Sequence, residues 1–80
     1  MRTTRYFEQQ VLRKRDYLRR EWLERALQQP LRRERQPDGR YRQWIVVDLD
    51  SSDKRYVLRV VTLEDGVTVH NAFLDRNYQD

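Results

Sequence analysis

The chain has 80 residues and a formal net charge of +4, which is enough for one domain spanning residues 1–80 and leaves no room for a second. Apolar and charged residues each make up 38%, so the core must be small, although nine aromatics give it something to nucleate on. With no cysteine, a disulfide framework, a thiol nucleophile and a cysteine-based metal site are all excluded.

In chain order, the first predicted element is a helix over residues 4–14. Thr4 is its expected N-cap, Phe7 and Val11 lie one turn apart, and Arg13, Lys14 and Arg15 suit the negative end of the helix dipole. A stronger helix is predicted over residues 17–28, capped by Asp16. There Leu18, Trp22 and Ala26 recur every four residues, as do Leu23 and Leu27, and Glu21 with Arg25 makes an i,i+4 pair. Pro30 ends it, because proline lacks an N–H and disfavours helix at the preceding residue.

The rest reads as strands. Residues 31–36 are expected to form a charged edge strand, followed by a turn at Pro37-Asp38-Gly39. Residues 40–49 alternate clearly, with Tyr41, Gln43, Ile45, Val47 and Leu49 on one side and Arg42, Trp44, Val46 and Asp48 on the other. A polar loop over residues 50–54 leads into a strand over 55–63, which turns at Glu64-Asp65-Gly66 into a last strand over 67–74. A two-residue turn at Asp65-Gly66 would set Leu63 opposite Thr68, Val61 opposite His70 and Arg59 opposite Ala72. Leu58, Val60, Val69 and Phe73 would then pack under the helices, leaving Arg59 and His70 together on the exposed face. The expected fold is α+β, with two N-terminal helices on one face of a four-stranded antiparallel sheet.

Charge is unevenly spread. Residues 1–42 carry thirteen Lys/Arg against six Asp/Glu, and residues 43–80 carry four against seven. A basic half of this kind points to a polyanionic or acidic partner, and its bias toward arginine suits bidentate contacts with phosphate or carboxylate. No apolar run approaches the roughly 20 residues needed to cross a bilayer, and Met1–Arg5 show no leader pattern. A cytoplasmic protein with no membrane partner is the expectation.

His70 is the one side chain whose ordinary pKa lies near neutrality. Cleavage of RNA by its own 2′-hydroxyl needs proton transfer and stabilisation of a charged phosphorane, and no metal. The catalytic candidates are therefore His70, Arg59, Arg76 and Tyr78, set against the plainer alternative of a histidine that is only part of a strand. For nucleic-acid binding the candidates are Arg32, Arg33 and Arg35 as phosphate contacts, with Arg42 beside Trp44, since aromatics interleaved with arginine suit stacking on unpaired bases. A solvated edge strand explains the same arginines. No phosphate-binding glycine loop or metal-ligand spacing is visible, and no cofactor is expected.

Several segments carry a family resemblance. They are Arg15, Ala26-Leu27-Gln28-Gln29-Pro30, Pro37-Asp38-Gly39-Arg40, the run from Tyr56 to Thr62, and the ending from Val69 to Tyr78, in which His70-Asn71-Ala72-Phe73 with Asp75-Arg76 is the most distinctive part. Over about residues 6–78 the chain resembles the RelE/ParE-like bacterial toxin superfamily. Within that superfamily it looks more like the BrnT-like proteins and a related bacterial domain of unassigned function. Asp16 departs from the pattern, standing where such relatives often carry proline. The resemblance implies a toxin-type fold, an endoribonuclease acting on free or ribosome-bound RNA, and a neutralising antitoxin. The competing readings are a non-catalytic RNA-binding or protein-interaction module and a structural dimerising domain.

Overall fold

The computed structural model describes residues 1–49 and 54–79; the loop expected at 50–54 lies almost wholly outside the described residues. The elements are β1 (Arg2–Thr3), a π-helical turn (Phe7–Val11) continuous with a short α-helical turn (Leu12–Lys14), together called α1, then α2 (Arg20–Gln28), β2 (Arg32–Arg35), β3 (Tyr41–Val47), β4 (Tyr56–Thr62) and β5 (Thr68–Leu74). The α+β class and the two helices agree with the sequence. The sheet does not: it is five-stranded, mixed, and ordered β1-β5-β4-β3-β2. Arg2 and Thr3 run parallel to Thr68 and Val69, so the segment before the first helix adds a strand. Two residues are too few to show an alternating pattern, which is why periodicity does not reveal it.

Thr4 caps the first helix as expected, its Oγ1 accepting the Phe7 N–H at 3.0 Å. The Leu12 N–H then donates to the Phe7 carbonyl five residues back, giving a π turn where an α-helix was predicted. Phe7 and Val11 are both buried on the sheet side. The second helix starts three residues later than predicted. Arg19, not Asp16, is its N-terminal flank, with extended backbone and no side-chain cap, and Asp16 lies in the preceding turn. Leu18 and Tyr17 pack against the core from that turn, so burial, more than helical period, holds them. Arg25 is drawn away from its expected partner Glu21 and donates to the Val46 carbonyl. The i,i+4 ion pair that does form is Arg20 with Glu24, at 2.8 Å.

Phe7, Val11, Trp22, Leu23 and Ala26 from the helices close on Ile45, Val47, Leu58, Val60, Val69 and Ala72 from the sheet. Strand register puts all these sheet residues on one face, so both helices cover the same side and the other side is left open. The two glycines sit at the hairpin turns with positive φ, 90° at Gly39 and 75° at Gly66, where other residues are strained.

Near the last turn the register is the expected one, with the Leu63 N–H donating to the Thr68 carbonyl and Thr62 opposite Val69. Beyond it the prediction fails by one residue. Val61 pairs with Asn71, Val60 with Ala72 and Arg59 with Phe73, because His70 is an extra residue in β5. Ala72 and Leu74 therefore take the core face, and Phe73 moves to the open face beside Arg59.

Trp22, 7% exposed, is the largest side chain that α2 contributes to the core. Trp22→Ala should cost about 3–5 kcal/mol, a large share of the whole stability of a domain this size. Urea unfolding checks this, and an unchanged midpoint would contradict the packing described.

Candidate nucleic-acid interface on the open sheet face

Alternation from the core positions places Arg32 and Glu34 of β2, Arg42, Trp44 and Val46 of β3, Val57, Arg59 and Val61 of β4, and Asn71 and Phe73 of β5 on the open face. Trp44 is at its centre. It sits opposite Arg32 on one side and Arg59 on the other. The Arg42 and Arg59 guanidinium carbons are 5.6 and 5.7 Å from its ring, and Tyr78 lies 5.4 Å away, tilted by 41°. Arg59 also stands 5.4 Å from the Phe73 ring. Cations over aromatic faces are held by the ring quadrupole with little loss of their own charge.

Two carboxylates balance these arginines. Glu34 accepts from Arg42 Nε at 3.0 Å and pairs with Arg32 as well. The Arg42 bond first, and the Arg32 charge after it, hold its pKa below the usual value. Asp75 accepts the Trp44 indole N–H at 2.9 Å and the Asn77 N–H at 3.0 Å, and faces Arg59 at 4.0 Å. The indole bond is the main cause of its lowered pKa, with partial burial working against it. Arg59 Nε is buried with no hydrogen-bond partner among the described residues, so packing between two rings, more than hydrogen bonding, positions this side chain.

The predicted site residues are thus divided. Arg32, Arg42, Trp44, Arg59 and Tyr78 come together on the open face. Arg33 and Arg35 point to the opposite side of the sheet edge, where Arg33 stacks 4.4 Å over Tyr41. Arg76 is exposed near a shallow recess lined by Arg55, Tyr56, Val57, Leu74, Asp75 and Tyr78. Trp44, at 5% exposed, is covered by the guanidiniums above it, so it supports them and does not offer a bare stacking surface. Glu34, Phe73 and Asp75 belong to the site without having been expected there. For Phe73 and Asp75 the missing signal is the bulge, which alters the face of every residue after His70.

His70 is not joined to Arg59. Its Nδ1 lies 3.0 Å from Thr4 Oγ1 and its ring stacks on Tyr6 at 5.0 Å. The Thr4 hydroxyl already accepts the Phe7 N–H, and it has one proton to donate, which suits an unprotonated Nδ1. Burial, with the Arg40 charge second, lowers the His70 pKa. Among the described residues no group of three or more His, Cys, Asp or Glu could hold a metal ion, and no helix is long and apolar enough to cross a membrane. Comparisons with protein-family models, curated proteins and solved structures returned no match.

The His70 shift has a definite sign. A folded pKa below the ordinary 6.5 means the unfolded chain binds the proton more readily. The stability tied to neutral His70 should be complete above pH 6.5 and should fall as the pH drops from there through the folded pKa. Thermal unfolding between pH 7.5 and 5 should show this decline in the parent and lose it in His70→Gln, while a His70 NMR titration midpoint above 6.5 would contradict it.

Proposed function

We propose that this protein binds single-stranded RNA across the open sheet face. The observation that carries the reading is the convergence of Arg32, Arg42 and Arg59 around Trp44, Phe73 and Tyr78 on the side the helices leave uncovered. An antiparallel sheet face bearing arginines and aromatics suits an extended strand, whose phosphates meet guanidiniums while its bases lie on partly exposed rings. Phe73 and Tyr78 are half-buried and supply such rings; Trp44 acts as the floor on which the guanidiniums rest. Glu34 and Asp75 hold the arginines in place until phosphate oxygens replace them. RNA is favoured over DNA by the resemblance of the ending His70 to Tyr78 to toxin-type domains. A partner antitoxin belongs to that same resemblance.

Fluorescence anisotropy with a labelled oligoribonucleotide tests the interface. Arg32→Ala with Arg42→Ala should weaken binding at least tenfold and flatten the log–log salt dependence by roughly 1.4, at about 0.7 per lost phosphate contact. Glu34→Gln should tighten binding by freeing both guanidiniums. Equal affinity in the double variant and the parent would rule the face out.

Cleavage is the second reading, favoured by a histidine whose pKa is lowered by burial, stacked on Tyr6 and within the field of Arg40. His70 would serve as the general base through its unprotonated Nδ1, the 2′-hydroxyl replacing the Thr4 hydroxyl there, with Arg40, whose charge acts on His70, as the cation for the phosphorane, in place of the Arg59, Arg76 and Tyr78 set expected from the sequence. General acid–base catalysis contributes about 10²–10⁴-fold. His70→Gln should therefore remove most cleavage, assayed in chelator on free and ribosome-bound RNA, without lowering affinity. Equal cleavage by both proteins would exclude His70 from the chemistry.

A further inference from the structure

The outer edge of β2 has no role in the open-face site. The sheet order ends there, and among the described residues no strand pairs with its far side. The Leu31 N–H donates to the Trp44 carbonyl one residue out of step with the β2–β3 register, whereas the Gln36 N–H donates to the Arg40 carbonyl within it and sets the phase of the ladder. Hydrogen-bonded pairs alternate along an antiparallel ladder, so Arg32 and Glu34 turn their backbone groups toward β3. The N–H and C=O groups of Arg33 and Arg35 then point outward. This edge presents two donors and two acceptors in strand spacing. It is flanked by the exposed side chains of Arg33 and Arg35 on one sheet face and Arg32 on the other, with Leu31 also exposed, at 56%.

We infer that β2 is a docking edge for an extended acidic peptide, which adds to the sheet as a sixth strand beside Arg33 and Arg35. Charge selects this occupant. Glu34 is already shared between Arg32 and Arg42, so the edge keeps a surplus of guanidinium on both faces. A second copy of the same strand would bring arginine against arginine, and like charges directly opposite are unfavourable. The cations that ward off self-pairing are the groups that pair with alternating Asp or Glu on an incoming strand. Main-chain bonds would give affinity and the charges would give specificity. Leu31 offers an apolar contact at the same end of the strand. Arg33 and Arg35 face away from Arg42 and Arg59, so the inference stands independently of RNA binding.

The test is titration of the ¹⁵N-labelled protein with a synthetic peptide alternating Glu and Val. Saturable binding is expected, with amide shifts concentrated at residues 31–36. The same peptide with Lys for Glu, or with alternate backbone nitrogens methylated, should bind at least tenfold more weakly. Arg35→Pro removes an outward N–H without touching the β3 ladder and should weaken the parent peptide by a similar factor; unchanged β3–β5 amide shifts would show that the variant is folded. If it is not, the methylated peptide on the parent protein decides. Equal binding of the methylated peptide would reduce the contact to charge alone and overturn strand addition. So would absence of saturable binding, shifts centred on Arg42 and Trp44, or shifts at Arg33 and Arg35 with an oligoribonucleotide but not with the peptide.

Discussion

The extra residue at His70 inserts into β5 opposite the Val61–Thr62 step, and the arrangement of both sheet faces depends on it. Side chains alternate along a strand, so one inserted residue reverses the assignment of everything after it. Without the bulge Phe73 would belong to the core, and Ala72 would stand outside beside Arg59. With it, small Ala72 is buried in the core and Leu74 packs against it, and Phe73 completes the aromatic cluster around Arg59. The bulge also turns His70 toward Thr4 and Tyr6, tying the sheet to the start of the first helix. The short parallel pairing of Arg2 and Thr3 with β5 continues the same attachment.

The two faces then divide the work. Packing is concentrated on the helix side, where the core residues meet. The open side is polar at its edges but not at its centre. Trp44 is buried there under cations and not under a second layer. A tryptophan covered by arginines satisfies two demands at once: the ring escapes water, and the guanidiniums are held in place without being neutralised. The two nearby carboxylates keep this charge from being left unbalanced, which matters more for Arg59, with its buried Nε, than for the exposed Arg32.

Much of this was legible in the residues. The alternation from Tyr41 to Val47 separates the two β3 faces correctly, and the spacing of Trp22, Leu23 and Ala26 identifies the buried side of α2. Pro37-Asp38-Gly39 and Asp65-Gly66 marked turns that do form. The errors share one physical cause, which is that local pattern does not report tertiary accommodation. Asp16 has the chemistry of a cap, but burial of Tyr17 and Leu18 moves the helix start past it. Arg32, Arg33 and Arg35 form one strip in the sequence and two in space, since neighbours on a strand face opposite ways. The expected placing of Arg59 and His70 on one exposed face depends on a register that one inserted residue cancels.

The separation of His70 from the Arg59 cluster is the claim on which the functional reading turns, because it moves the weight from a histidine-centred catalytic group to an arginine-lined face. Nuclear Overhauser contacts of the Arg59 side chain measure it directly. The account predicts cross-peaks from Arg59 to the ring protons of Trp44 and Phe73, with Ala72 among the core methyls. Cross-peaks from Arg59 to the His70 ring, with Phe73 contacting Val60 and the helices, would contradict it.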